Sequence, residues 1–373
     1  MKRMKRALCA LLLAALLFSC APAQALTKED LISDYDQLWA ILEESYPFFP
    51  VLKKRGIDPQ AIRQENREAL LREVDDDGEF AALVRNTFSR LGNLAHLQVV
   101  SAEAYDSYYG QFEWPQATRD FYAAIDRGEA QTFAYPQAEA SWLPAYKAVL
   151  FRFPTFGDPA ALEGDQNLVA DFMREHPDAE HILFDITGNT GGNANYWIQN
   201  IVSPFGGAYV WERDNYFLAS PVTQDVLAQY PCEEALGEGH PAFVQEMGFT
   251  HLLRTRDVYP PEGTKASVSS EAKRWVLIDG AVFSAADGFA AFCKATGWAT
   301  LVGKRTMGDG ADAFSPQAVA LEKTGLLVRF SVASCANPDG SINAEKGTLP
   351  DVICKPGELP YWACLRAIGR MER

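Results

Sequence analysis

The sequence predicts an α/β fold with a helical N-terminal part, and three observations carry that expectation. Residues 27–92 hold apolar stripes at helical spacing, with capping residues at their starts. From Lys147 onward, short apolar runs alternate with helical patterns, the order that builds a sheet with helices on its faces. Most informative is the run from Trp275 to Lys294. It reads as a buried, partly β-branched strand at 275–278, a tight break, and then helical spacing through Ala285, Ala286, Phe289, Ala290 and Phe292, closed by Gly297.

Taken in order, the chain opens with Lys2, Arg3, Lys5 and Arg6 and the apolar run Ala7–Phe18, the pattern of an export signal over residues 1–19. The run is too short to span a bilayer comfortably. Leu17-Phe-Ser-Cys20 resembles a bacterial lipobox, which would leave Cys20 acylated, whereas Ala23-Gln-Ala25 offers an ordinary cleavage site. The lipobox is favoured because a cysteine directly after the apolar run has no other evident purpose. Residues 27–98 then form an N-terminal helical domain. Thr27 and Asp30 make a capping box before Leu31, Tyr35, Leu38 and Leu42; Asp58-Pro59 starts a second helix; Asp77 starts a third, ended by Gly92. Residues 99–146 are a connecting region with one helix around Ala117–Arg127. Residues 147–373 are expected to form an α/β domain. Its expected elements are a strand at Ala148–Phe153, a helix at Leu162–Glu175, a strand at Ile182–Ile186, a short helix at Asn195–Val202, and an irregular insertion around 204–272. After the Trp275 segment come a strand at 299–303 and a hairpin of Ala318–Leu321 with Leu326–Val332, turning at Glu322–Gly325.

The formal net charge is −15, and the leader holds four basic residues and no acidic one, so the remainder is more acidic still. Such a surface repels nucleic acid and anionic headgroups, which leaves membrane contact to the lipid anchor alone. Beyond Cys9 and Cys20 there are five cysteines and no C-x-x-C, so neither a disulfide framework nor a zinc site is signalled; a Cys335–Cys354 or Cys354–Cys364 pairing stays open. The five histidines lack metal-ligand spacing, so no metal and no cofactor is expected.

Four segments carry candidate chemistry. Ser284 stands where a helix begins, beside unpaired N–H groups and the positive end of the helix dipole, a good place to hold an oxyanion; the simpler reading is an N-cap. Asp185-Ile-Thr-Gly-Asn-Thr-Gly191-Gly192 runs from a strand into a glycine-rich loop whose backbone N–H groups can face an anion, without the Gly-Lys-Ser/Thr of a phosphate loop. His96 follows a helix stop, in Leu91-Gly-Asn-Leu-Ala-His, where it can project into a cleft. Glu345 follows the turn Asn337-Pro-Asp-Gly340 and by itself reads as a surface charge.

In this order the segments resemble the C-terminal processing (tail-specific) serine peptidase family. The matches are Leu91–His96, Asp185–Gly192, Ser284–Asp287, Leu301–Gly310 and Pro338–Val352. The resemblance implies a ClpP/crotonase-like core and acyl-enzyme cleavage of peptides or unfolded polypeptides. Ser284 matches the nucleophile, and the N–H groups of Ala285 and of Gly191 or Gly192 match the oxyanion hole. The common branch of the family activates its serine with a lysine in a Gly-Lys-Gly loop. Here that loop is Gly308-Asp309-Gly310, so the resemblance is to the tricorn-like branch, which uses a histidine and a glutamate. His96 and Glu345 match those positions, with Asp309 as a rival for the orienting carboxylate. Ala95 stands where the tricorn-like core carries a polar residue. The peptide-binding PDZ module is missing between His96 and the strand at 148. The resemblance implies a serine endopeptidase, and the leader with its lipobox leads us to expect it in the cell envelope, lipid-anchored on the outer face of a bacterial membrane. A non-catalytic ligand- or peptide-binding protein on the same scaffold, and an esterase or amidase for small substrates, are the alternatives.

Overall fold

The computed structural model describes residues 26–126, 137–157, 163–235, 237 and 239–371; the leader and Cys20 lie outside them. The chain begins with α1 (Lys28–Ser45), α2 (Phe49–Lys54), α3 (Pro59–Glu73) and α4 (Asp77–Arg90). The Thr27–Asp30 capping box closes in both directions, and Asp58 accepts from the N–H groups of Gln60 and Ala61, so two helix starts follow from their first residues. Next come β1 (Gln98–Val99), α5 (Ala102–Ser107) and α6 (Gln116–Ala124); Arg127, the expected end of that helix, is not among the described residues. The α/β part continues with β2 (Glu139–Leu143), β3 (Ala148–Arg152), α7 (Leu168–Glu175), β4 (His181–Asp185), α8 (Ala194–Trp197), β5 (Tyr209–Phe217), α9 (Gln224–Gln229), β6 (Glu233–Glu234), α10 (Ala242–Met247) and β7 (His251–Tyr259). It ends with β8 (Lys273–Ile278), α11 (Ala285–Thr296), β9 (Thr300–Gly303), β10 (Gln317–Ala320), β11 (Leu327–Phe330), β12 (Ala333–Cys335), α12 (Asn343–Lys346), β13 (Val352–Ile353) and α13 (Pro360–Met371).

Six strands form the central sheet in the order β13-β9-β8-β4-β3-β2, parallel except for the β2–β3 pair. Its inner strands are apolar at successive positions because both faces are covered. Val149, Phe151, Ile182, Phe184, Val276 and Ile278 share a core with Ala286, Phe289, Ala290, Phe292 and Cys293 of α11. The alternate residues Ala148, Leu183, Trp275, Leu277 and Val302 share a second core with Ala363, Cys364, Leu365 and Ile368 of α13.

The expectation of irregular chain over 204–272 is corrected. β5 and β7 pair antiparallel through nine residues, from Tyr209↔Tyr259 to Phe217↔His251, in a sheet ordered β12-β5-β7-β6. Glu212-Arg-Asp214 hid this strand, since three adjacent charges read as loop. In the fold Arg213 lies over the Trp211 ring at 4.2 Å and pairs with Asp257 on the neighbouring strand, so its charge is accommodated within the sheet. The helix expected from Leu162 starts at Leu168, after a short turn at Glu163–Asp165. The five cysteines Cys232, Cys293, Cys335, Cys354 and Cys364 are free thiols, so neither pairing left open forms.

The third sheet, β1-β11-β10, joins the two ends of the chain. β10 and β11 form the expected hairpin, and β1 adds to β11 through Gln98↔Arg329 and Val99↔Val328. The buried carboxylate of Asp34 on α1 accepts from the N–H groups of Lys323 and Thr324 and from the Thr324 hydroxyl, gripping the hairpin turn. Tyr46, Phe48, Leu91, Phe217, Leu252, Phe330 and Val332 lie in one core, so the N-terminal helices are packed onto the C-terminal half.

Candidate active site

Ser284 does not cap its helix. Its backbone is at φ 53, ψ −129, and its side chain makes no capping hydrogen bond. A positive φ at a non-glycine residue costs free energy and persists only when the surroundings impose it. Here they do: the Ser284 N–H donates to the Gly308 carbonyl at 3.1 Å, and the Phe283 N–H to the Asn189 carbonyl at 3.2 Å. A Cβ on Gly310 would lie 1.8 Å from the Ser284 carbonyl oxygen, so only glycine allows that approach. The hydroxyl is left free for another partner, and Ser284 Oγ lies 2.9 Å from His96 Nε2.

His96 is held by an equally constrained loop, with Asn93, Ala95 and His96 all at positive φ. Tyr46 donates its hydroxyl to the Leu94 carbonyl at 2.8 Å, the Ser331 N–H donates to the Ala95 carbonyl at 2.8 Å, and the β1–β11 pairing begins two residues on. The imidazole lies against the Phe283 ring, with centroids 4.5 Å apart. Residues from the front and back of the chain thus meet because β1 is a strand of the C-terminal hairpin's sheet.

The expectation that Glu345 orients His96 is corrected. His96 Nδ1 is 2.5 Å from Asp309 Oδ2, which also accepts from the Ser331 hydroxyl at 2.9 Å. Glu345 instead pairs with Lys346 at 2.6 Å and Lys54 at 3.4 Å. Burial works to raise its carboxyl, but Lys346 and Lys54 outweigh that and hold it below the usual glutamate range. The reason is helical geometry, because residues two apart face opposite sides of a turn. α12 sends Asn343 to the Asp309 loop, where its Oδ1 accepts from the Asp309 N–H at 2.9 Å, and so Glu345 faces α2. Asp309 itself is at φ 61, and its other oxygen, Oδ1, is buried without a partner among the described residues. Asp287, on the first turn of α11, braces this loop from below. It accepts from the hydroxyls of Thr306 at 2.6 Å and Thr348 at 2.8 Å and from the Gly310 N–H at 3.2 Å. Burial pushes its carboxyl up, against the pull of those donors.

Of the three N–H groups expected to face an oxyanion, the Gly191 group is already engaged, donating to Asn189 Oδ1 at 2.8 Å. Gly191 matters by having no side chain, since a Cβ there would sit 2.8 Å from both Ser284 Cβ and the Ala285 nitrogen. The N–H groups of Gly192 and Ala285 donate to no protein acceptor among the described residues. Asn189 shapes the loop, with its amide also donating to the Phe153 carbonyl at 3.0 Å. Sequence reasoning missed Asn189, Asn343 and Ser331 as parts of the site. Asn189 lies inside the Asp185–Gly192 motif, whereas Ser331 carries no signal in the sequence. Among the described residues, no group of three His, Cys, Asp or Glu side chains is placed to hold a metal ion.

An imidazole with one nitrogen on a hydroxyl and the other on a carboxylate is arranged to take the hydroxyl proton. Three solved structures share the fold over nearly the whole chain. A protein of Parabacteroides merdae assigned as a peptidase is 18% identical, with a TM-score of 0.55 over 91% of this chain and 96% of that one. A lipoprotein from Streptococcus agalactiae is 14% identical, with a TM-score of 0.53 over 95% and 99%. Mature CPAF is 12% identical, with a TM-score of 0.55 over 92% and 96%. At these identities the likeness is one of fold. No curated protein matches the chain by sequence. Peptidase family S41 matches residues 149–354, a stretch that holds Ser284, Asp309 and the Asn189–Gly192 loop, and on that match over more than half its length the chain belongs to peptidase family S41.

Proposed function

We propose that the protein is a serine endopeptidase of the cell envelope that cleaves peptides or unfolded polypeptides through an acyl-enzyme. The observation that carries this reading is the unbroken line of contacts from Ser284 Oγ to His96 at 2.9 Å and on to Asp309 at 2.5 Å. Ser284 attacks the scissile carbonyl while His96 Nε2 takes its proton. Asp309 keeps the proton of the neutral ring on Nδ1 and stabilises the imidazolium that forms. The N–H groups of Ala285 and Gly192 receive the oxyanion; losing one such donor typically costs about 3–4 kcal/mol in barrier height. His96 then protonates the leaving amine, and by the reverse proton route activates the water that frees Ser284.

In this scheme the helical domain 27–98 supplies the base, and the domain 147–373 supplies the nucleophile, the carboxylate and the oxyanion donors. The leader directs export and is removed, and an acylated Cys20 then holds the enzyme at the outer face of the membrane. With no PDZ-like motif legible in the sequence between His96 and the strand at 148, the N-terminal helices and residues 204–272 choose the substrate in this reading. The test is turnover of an unfolded polypeptide and of a simple ester by the wild type and by Ser284→Ala and His96→Ala. The proposal expects polypeptide cleavage that both substitutions abolish while the fold is kept. Ester turnover alone would point to a small-substrate esterase, and inert wild type to a binding protein.

A further inference from the structure

We propose that Ser331 is a positioning residue of this site, its hydroxyl fixing the Asp309 carboxylate in line with His96 Nδ1. The inference rests on the peptidase reading and adds a residue to it. Ser331 Oγ donates to Asp309 Oδ2 at 2.9 Å and lies 3.1 Å from His96 Nδ1, so it touches both members of the orienting pair. Its backbone N–H holds the Ala95 carbonyl, one residue before His96. Ser331, one residue past β11, is buried, and a buried hydroxyl is retained at a cost unless it is partnered. Asp309 needs that partner. Its Oδ1 has none among the described residues, so the imidazole and Ser331 are the two side-chain groups that hold the carboxylate. With the Ser331 proton pointed at Oδ2, its lone pairs face Nδ1. Both neighbours of Nδ1 are then acceptors, which keeps the ring proton on Nδ1 and leaves Nε2 free to take the proton of Ser284. The backbone contact to Ala95 survives any side-chain change, so removing the hydroxyl isolates its effect.

The experiment compares wild type, Ser331→Ala and Ser331→Thr. An alkyl fluorophosphonate is titrated to give a limiting rate of Ser284 modification and a half-saturating concentration, and the downfield proton resonance of His96 Nδ1–H is recorded. Loss of one hydrogen bond to a charged group corresponds to a fall of about tenfold in the limiting rate. Ser331→Ala should show that fall at an unchanged half-saturating concentration, with the Nδ1 proton resonance moved upfield, and Ser331→Thr should recover both. An alanine variant with the wild-type rate and resonance would overturn the proposal. So would a slow alanine variant that threonine fails to rescue, since that marks packing alone. If wild type itself is not modified at Ser284, the peptidase reading falls; the resonance still decides Ser331, because it reads the His96–Asp309 contact in the resting protein.

Discussion

Replacing Asp309 with asparagine is the sharpest perturbation of the site, and the structure says which way the new amide turns. Oδ2 meets two groups, His96 Nδ1 and the Ser331 hydroxyl, whereas Oδ1 is buried with no partner among the described residues. If the asparagine keeps its oxygen toward His96, its NH2 fills the empty side and buries two donors unpaired, each at about 1–3 kcal/mol. If it turns over, the NH2 donates to Nδ1 and to Ser331 Oγ, and the carbonyl sits where wild type already tolerates an unpartnered oxygen. The second orientation wins. It forces the ring proton onto Nε2, facing Ser284, and the imidazole cannot then act as a base. Wrong-tautomer substitutions of this kind cost about 10⁴-fold in rate, equivalent to about 5 kcal/mol of barrier. Glu345→Gln should stay within about threefold, because partly exposed ion pairs such as those with Lys346 and Lys54 contribute little. The assay is the limiting rate of fluorophosphonate modification, with circular dichroism to show that both variants fold. Asp309→Asn within tenfold of wild type, together with a large loss in Glu345→Gln, would refute the reasoning and return the orienting role to Glu345.

Three further outcomes are expected. Gly310→Ala places a methyl against the Ser284 carbonyl and should destabilise the fold by about 1–3 kcal/mol while abolishing modification of Ser284, since relief requires the Asp309 loop to move; unchanged melting and labelling would contradict this. Burial, with the Asp309 carboxylate pushing the same way, raises the Asp312 carboxyl from 3.8 to about 8. Between those values the folded chain keeps a proton that the unfolded chain has lost, so this group makes stability fall as pH rises from about 4 to about 8. Asp312→Asn should match wild type near pH 4 and melt higher toward pH 8; parallel melting curves would count against it. Cys20→Ser should release the protein from membranes, and unchanged retention would argue against lipidation at that residue.

Much of the scaffold was legible because its signals are local. The apolar runs at 148–153, 182–186 and 275–278 are strands buried on two faces, and Thr27, Asp58 and Gly297 act at helix ends as their chemistry dictates. β5 and β7 were hidden because Arg213 finds Asp257 only once the strands pair, a contact 44 residues apart along the chain. The choice between Asp309 and Glu345 was equally out of reach. It turns on which side of the short α12 faces the site, and Asn343 takes that side. Chain order brought both carboxylates near His96 without saying which would touch it. Ser331 sits in an ordinary strand sequence, and only the β1–β11 register carries it to the imidazole.

The central claim is that Ser284 is an activated nucleophile. The most direct measurement is the site of covalent attachment after the folded protein is treated with a fluorophosphonate, read by peptide mass spectrometry. A single adduct on Ser284, absent in His96→Ala, is expected. A folded protein that takes up no label, or takes it up at another serine, would contradict it.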